Sequence, residues 1–305
     1  MRSAPLIVLS GPTASGKSAL ALALAREFPV EIVNADSLQV YRYLDIGTAK
    51  PSAQERAEVP HHLIDVADPD EPYDAGRYVT AAEGAIEEIR KRGKVPMVVG
   101  GTGMYIRALL RGLDPLPRSP RVRADLARRW ESEGGGALYA ELARIDPGTA
   151  SRIHPRDRFR VLRALEIAAV AGVPPGQART AWASGRPGRP CLFLALRPDR
   201  ETILRRIRER TAAMFRRGLL DEVRGLLARG YDRSLKPMGA LGYRHAAAHI
   251  LDGVPLSETV EGVIRDTGRY AKRQATWLAR EPDLVPLAPG DAPEKSRELV
   301  GMYLS

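Results

Sequence analysis

The chain opens on an apolar run, LIVLS, that passes directly into GPTASGK and then SALALALAREF, so residues 5–28 read strand, glycine-rich turn, helix. A second short run, EIVNAD at 31–36, reads as a strand ending in polar residues. After a polar connection around 50–75, AAEGAIEEIRKRG has the spacing of an amphipathic helix and is closed by Gly93. It leads into VPMVVGG at 95–101, a continuous apolar run suited to a buried parallel strand. Strand and helix in this alternation imply crossover connections and a parallel sheet with helices on its faces.

The pattern changes at DPLPRSP (114–120), a proline-rich boundary. From there to about 190 it predicts helices and loops and no strand, ending in PPGQARTAWASGRPGRP. CLFLAL at 191–196 restores a buried strand, and the basic helix ETILRRIRERTAAMFRRG follows. The last helical part, about 257–280, is also basic, and the tail beyond Pro282 reads as less regular. The expected organisation is a core from 1–117 and 191–305, interrupted by a helical insertion at 118–190.

Composition narrows the partners. No apolar run approaches the roughly 20 residues of a membrane span, and the short N-terminal run reads as a strand rather than a signal peptide. The single cysteine, Cys191, excludes an intramolecular disulfide framework and a cysteine-rich zinc module, and a cytoplasmic location is expected. A net charge of +10, mostly from arginine, favours a polyanionic partner or reflects a generally arginine-rich chain.

Residues Gly11, Pro12, Thr13, Ala14, Ser15, Gly16, Lys17 and Ser18 match G-x-x-x-x-G-K-[S/T], with a strand before and a helix after. Such a loop turns consecutive backbone N–H groups and a helix N-terminus toward phosphate oxygens. Lys17 adds a point charge, and the Ser18 hydroxyl is placed to help hold Mg²⁺. The fold class expected is therefore α/β, a P-loop NTPase-like parallel sheet flanked by helices, with an inserted small all-helical domain. The second strand of a triphosphatase would end in an aspartate, whereas VPMVV ends in Gly100-Gly101-Thr102-Gly103. The loop then serves either a nucleotide or some other diphosphate.

Reactive groups in such sheets gather beyond the carboxyl ends of the strands. Asp36 lies there and suits a general base, a turn cap or a water-mediated magnesium contact. Thr102, between glycines, can approach a ligand or simply make a turn. Arg156, Arg160 and Arg163 share the i, i+4, i+7 spacing, with Val161, Leu162, Leu165 and Ala168 facing inward. Arg265, Arg269, Lys272 and Arg273 cluster similarly, beside an apolar seam of Val263, Tyr270 and Trp277. Each cationic face fits a phosphate backbone or bulk solvent. The five histidines show no metal-ligand spacing, and no carboxylate can be assigned to His245 or His249.

Taken together, GPTASGKS (11–18), NADSLQVYRYLDIGTAKP (34–51), PHHLIDV (60–66), VVGGTGMYIRALLRGL (98–113), RFRVLRALE (158–166), LGYRH (241–245) and YAKRQATW (270–277) resemble the bacterial tRNA dimethylallyltransferase family. The resemblance implies transfer of a dimethylallyl group from dimethylallyl diphosphate to N6 of adenosine 37 in tRNA, with Mg²⁺; a monomer is expected. It implies that the P-loop holds the prenyl diphosphate, that Asp36 accepts the N6 proton, and that Thr102 bonds the bridging oxygen of the leaving group. Arg216 or Arg217 would offset diphosphate charge. Asp36, Ser37, Leu38 and Gln39 would hold the flipped adenosine. Arg123, Phe159, Arg160, Val161, Leu162, Arg163, Arg244, Lys272, Arg273 and Gln274 would contact tRNA. Gly268 stands where relatives often carry arginine, and Leu38 where methionine is common. A kinase phosphorylating a small molecule with ATP, and a non-catalytic RNA-binding protein, are the competing readings.

Overall fold

The computed structural model describes residues 5–178 and 188–305. The chain runs β1 (Ile7–Ser10), α1 (Lys17–Glu27), β2 (Val30–Asn34), α2 (Ala53–Glu58), β3 (His61–His62), α3 (Ala75–Lys91), β4 (Val95–Gly100) and α4 (Gly103–Arg111). Five helices follow: α5 (Pro120–Glu133), α6 (Gly135–Ile145), α7 (Pro147–Ala150), α8 (Arg158–Ala171) and α9 (Pro175–Ala178). The chain then resumes with β5 (Leu192–Leu196), α10 (Arg200–Arg216), α11 (Leu219–Ala228), a 3₁₀ turn at Pro237–Gly239, and α12 (Leu241–Asp252). It ends with α13 (Leu256–Leu278), β6 (Leu284–Leu287) and α14 (Ala292–Leu304).

The strands form one parallel sheet in the order β3-β2-β4-β1-β5-β6. Alternate side chains of β1 serve its two faces. Val8 joins Val33, Val98, Tyr78, Tyr105, Leu219 and Tyr243 in one core. Ile7 and Leu9 join Ile32, Met97, Val99, Leu194, Leu24 and Val300 in the other. Both faces are therefore covered, which is why β1, β4 and β5 read as unbroken apolar runs.

Two compact units result, Met1–Leu110 with Arg189–Ser305, and Arg111–Gly188. Their limits fall at 110/111 and 188/189 rather than at the expected 117/118 and 190/191. The second unit is helical and has its own core of Leu126, Leu138, Leu142, Ile153, Val161, Leu162 and Leu165. Beyond Pro282 the expectation of less regular structure is corrected: β6 adds an edge strand and α14 packs on α1. A four-residue strand interrupted by Pro286 leaves little alternation to detect, and an edge position tolerates its missing N–H. No helix among the described residues is long and apolar enough to cross a membrane.

Candidate active site at the carboxyl edge of the sheet

The turn after β1 delivers the phosphate loop to the start of α1. Ala14 takes a left-handed φ of 63° and Gly16 one of 97°, and Gly16 caps the helix with its backbone alone. First-turn amides of a helix lack intrahelical acceptors and so favour an anion. Lys17 Nζ lies 3.4 Å from the Pro12 carbonyl. Burial pulls its ammonium down to about 8; Asp36 opposes the shift and Arg210 adds to it. Ser18 is exposed and lines a cavity of roughly 640 Å³, together with Lys17, Asp36, Gln39, Arg206 and Arg210.

The arginines that reach this loop come from α10 and correct the expectation for Arg216 and Arg217. Arg206 donates to the Ser15 carbonyl at 2.9 Å, and Arg210 to Thr13 Oγ1 at 2.7 Å. Burial lowers the Arg210 pKa below the usual arginine value, partly countered by Asp36. Arg216 and Arg217 close the same helix, are exposed, and do not line the cavity. The α10 stripe Ile203, Ile207, Thr211 and Met214 is buried. Arg206 and Arg210, each one position before a stripe residue, flank it at i, i+4.

Asp36 follows β2 and is held by its neighbours. The buried Asn34 accepts its amide N–H at 3.2 Å. Asp36 Oδ1 accepts from the amides of Leu38 (2.9 Å) and Gln39 (3.4 Å), so it caps the next turn as well as facing the cavity. Among the described residues, Oδ2 has no protein donor. Thr102 Oγ1 accepts the Ser37 amide at 3.0 Å, and the Tyr270 phenol lies close to Thr102. Burial pushes that phenol up to about 12.

Gln274 is a correction of another kind. Its side chain is buried rather than presented to solvent: Oε1 accepts the Thr13 amide at 2.8 Å, and Nε2 donates to the Gly101 carbonyl at 2.8 Å. It therefore ties the phosphate loop to the glycine turn after β4 from a buried position. Three residues on, Trp277 fills the space over Gly103, where a Cβ would lie 2.5 Å from the indole.

The remaining cations of α13 are partly neutralised. Asp266 lies within ion-pair distance of Arg244 (2.7 Å), His245 (3.0 Å), Arg269 (3.1 Å) and Arg265 (3.5 Å), giving His245 the carboxylate partner not foreseen for it. Lys272 and Arg273 are exposed. Gly268 faces α10, its Cβ position 3.1 Å from Leu204 Cδ2.

In the helical unit α8 begins after Asp157, so Arg156 precedes the helix and does not share its face. Val161 and Leu162 are core residues, which corrects their assignment as RNA contacts. Arg163 is largely buried, donating to the Pro117 carbonyl (2.9 Å) and Glu166 (2.8 Å). Arg123 pairs with Glu166 at 3.0 Å and lies 4.9 Å from the Phe159 ring centre. Phe159 and Arg160 remain exposed, the Phe at 69%.

A phosphate loop, two arginines and a carboxylate around one cavity at the strand ends define a P-loop enzyme acting on a phosphorylated substrate. The comparisons give the family. The IPP transferase family model matches residues 39–281, and that of isopentenyl transferase matches residues 4–65. The tRNA dimethylallyltransferase of Desulfosudis oleivorans is 46% identical, the match covering 98% of this chain and 96% of that protein. That of Anaeromyxobacter dehalogenans is 48% identical over 95% of this chain and 96% of that one. Among solved structures, the full-length tRNA isopentenylpyrophosphate transferase of Bacillus halodurans superposes with a TM-score of 0.72 at 33% identity, covering 98% and 96% of the two chains. A eukaryotic dimethylallyltransferase acting on tRNA gives 0.80 at 30% identity, covering 97% of this chain and 78% of that one. The chain belongs to the tRNA dimethylallyltransferase (IPP transferase) family and is an enzyme of that family. Nothing in these comparisons supports the ATP-dependent kinase reading.

Proposed function

We propose that this enzyme transfers the dimethylallyl group of dimethylallyl diphosphate to N6 of adenosine 37 in the anticodon stem-loop of tRNA, with Asp36 as base. The observation that carries the residue assignment is the meeting of Lys17, Arg210 and Asp36 in one cavity, cations on the phosphate side and a carboxylate opposite. The C1–O bond to diphosphate breaks as C1–N6 forms, and the N6 proton passes to Asp36 Oδ2. Thr102, already accepting from Ser37, has its hydroxyl proton to donate to the bridging oxygen. Lys17, Arg206 and Arg210 stabilise the departing anion. Only a base swung out of the stack can reach this depth.

Mg²⁺ fits the oxygen donors present. The described residues hold no cluster of three or more His, Cys, Asp or Glu that would cage a metal, while the exposed Ser18 hydroxyl opens the helix beside Lys17. Mg²⁺ is commonly held in this way, by few protein oxygens with substrate phosphates and water. Bound there by Ser18 and the diphosphate, it would neutralise leaving-group charge. Exposed Phe159, Arg160, Lys272 and Arg273 are the side chains best placed to meet RNA, in a cytoplasmic monomer. Incubating the protein with labelled dimethylallyl diphosphate, tRNA and Mg²⁺, with and without ATP, tests the reading. Label is expected at adenosine 37 independently of ATP; absence of label, or dependence on ATP, would overturn it.

A further inference from the structure

Gln39 lines the cavity with Asp36, and the amide of its side chain has one orientation available. Nε2 donates to the Thr48 carbonyl (3.1 Å) and the Ala49 carbonyl (3.2 Å). Turning the amide over would set Oε1 against two carbonyl oxygens. Its only remaining hydrogen-bonding atom is Oε1, which accepts and cannot donate.

The two carbonyls belong to a loop whose backbone is strained. Tyr43 has φ of 67° and Ala49 of 51°, a region non-glycine residues seldom occupy. External contacts hold it there: Tyr43 stacks on Tyr231 and lies under Arg229, and Glu222 of α11 takes three of the loop's amides. Its Oε2 accepts the amides of Asp45 (3.0 Å) and Ile46 (2.7 Å). Its Oε1 accepts the amide of Gly47 (3.2 Å) and the hydroxyl of Tyr243 (2.6 Å). The Tyr243 ring seats Gly47 so closely that a Cβ would lie 2.6 Å from it. From the far side Lys50 donates to the Tyr41 carbonyl (2.9 Å) and Asp65 (2.7 Å).

We propose that Glu222 is a positioning residue for base selectivity: by fixing this loop it forces Gln39 to present a hydrogen-bond acceptor to the target base. An acceptor there welcomes the exocyclic amine of adenine and rejects hypoxanthine or guanine, whose oxygen at that position also accepts. The two N–H groups of the amine are then divided between Asp36 and Gln39. This inference rests on the proposed placing of the target adenosine at Asp36–Gln39.

The test uses the full chain and RNA stem-loops carrying adenosine or inosine at position 37, compared as competitive inhibitors of labelled-tRNA prenylation. Wild type is expected to favour adenosine by about tenfold or more, the worth of one buried hydrogen bond and an avoided clash. Glu222→Gln, which cannot accept from all four donors, is expected to lose most of that ratio with the KM for prenyl diphosphate unchanged. Tyr243→Phe, which leaves the three loop amides paired, should keep it. Should Glu222→Gln not fold, Glu222→Asp keeps the charge but withdraws it by one methylene and should lose the ratio likewise. A ratio that survives in the Glu222 variants but falls in Gln39→Ala overturns the role of Glu222 and leaves the base-binding reading standing. A ratio and tRNA KM unmoved by Gln39→Ala overturn both.

Discussion

Replacing Gln274 by alanine separates a buried strut from an RNA contact. The wild-type amide makes two 2.8 Å hydrogen bonds, to the Thr13 amide and the Gly101 carbonyl, in a buried setting. Truncation strands both partners, and an unsatisfied buried polar group costs about 1–3 kcal/mol. A destabilisation of about 2–6 kcal/mol follows, together with release of the phosphate loop from the turn carrying Thr102. The steady-state signature is specific: the KM for dimethylallyl diphosphate should rise on the order of tenfold or more and kcat should fall, while the KM for tRNA stays within about twofold of wild type. Thermal melting should register the lost bonds as a drop of several degrees. Prenylation assays varying each substrate in turn, with the melting curve beside them, provide the reading. A variant with a raised tRNA KM, a flattened salt dependence and an unaltered donor KM and melting point would refute the argument and place Gln274 on the RNA.

Four further outcomes are expected. Asp36→Asn should lower kcat by roughly 10²–10⁴-fold with tRNA affinity little changed, and near-normal turnover would sink the base assignment. Arg210→Ala should raise the KM for dimethylallyl diphosphate by on the order of tenfold or more, from the loss of a charge-assisted contact, whereas Arg216→Ala with Arg217→Ala should be nearly silent; the reverse pattern would restore those two as the diphosphate ligands. Arg160→Ala should reduce the slope of log affinity for tRNA against log salt by about one, while Arg163→Ala should lower the melting temperature instead; an equal change of slope in both would contradict the burial of Arg163. Burial raises the Glu166 pKa, but the Arg163 bond, the Ser119 amide and Arg123 outweigh it and leave it below the ordinary carboxylate value. Its stabilising contribution is therefore complete above the unfolded value near ~4.3 and lost as pH falls through the folded one, so Glu166→Gln should flatten acid unfolding in that window, and parallel acid curves would refute the linkage.

Sequence patterning located the parts of the site whose chemistry is local. The phosphate loop is contiguous, its flanking strand and helix are periodic, and Asp36 and Thr102 stand at strand ends where parallel sheets collect ligands. Contacts across long separations were not legible. Nothing near Gln274 says that its amide is spent on Thr13 and Gly101; surrounded by Lys272 and Arg273, it reads as one more polar group on a basic face. The error over Arg216 and Arg217 is one of helix phase. A run read only as basic does not tell which arginines face the loop; the packing of α10 against α13, at Ile203, Ile207 and Ala271, sets which edge turns to it. Arg163 shared a spacing with Arg160, but a helical face says nothing of a carboxylate such as Glu166 waiting beside it.

These distant contacts also account for why the motifs come as a set. The turn carrying Thr102 can lie against α13 only because Gly103 leaves room for Trp277, and Gln274 on the same helix must then bridge to Thr13. The turn carrying Thr102, the phosphate loop and α13 are thereby fixed to one another by the side chains of Gln274 and Trp277. The same logic holds around Gln39, where Gly47 accommodates Tyr243 and Glu222 spans both. In-line displacement demands that donor carbon, nitrogen and base keep their mutual placement within fractions of an ångström. Such placement follows when each reactive loop is tied to a helix from elsewhere in the chain, and one changed partner then disturbs a loop far from it in sequence. Substitutions at Trp277 should accordingly act on kcat through Thr102, with direct RNA contacts untouched. A Trp277→Leu variant that weakened tRNA binding while sparing kcat would break that chain of reasoning.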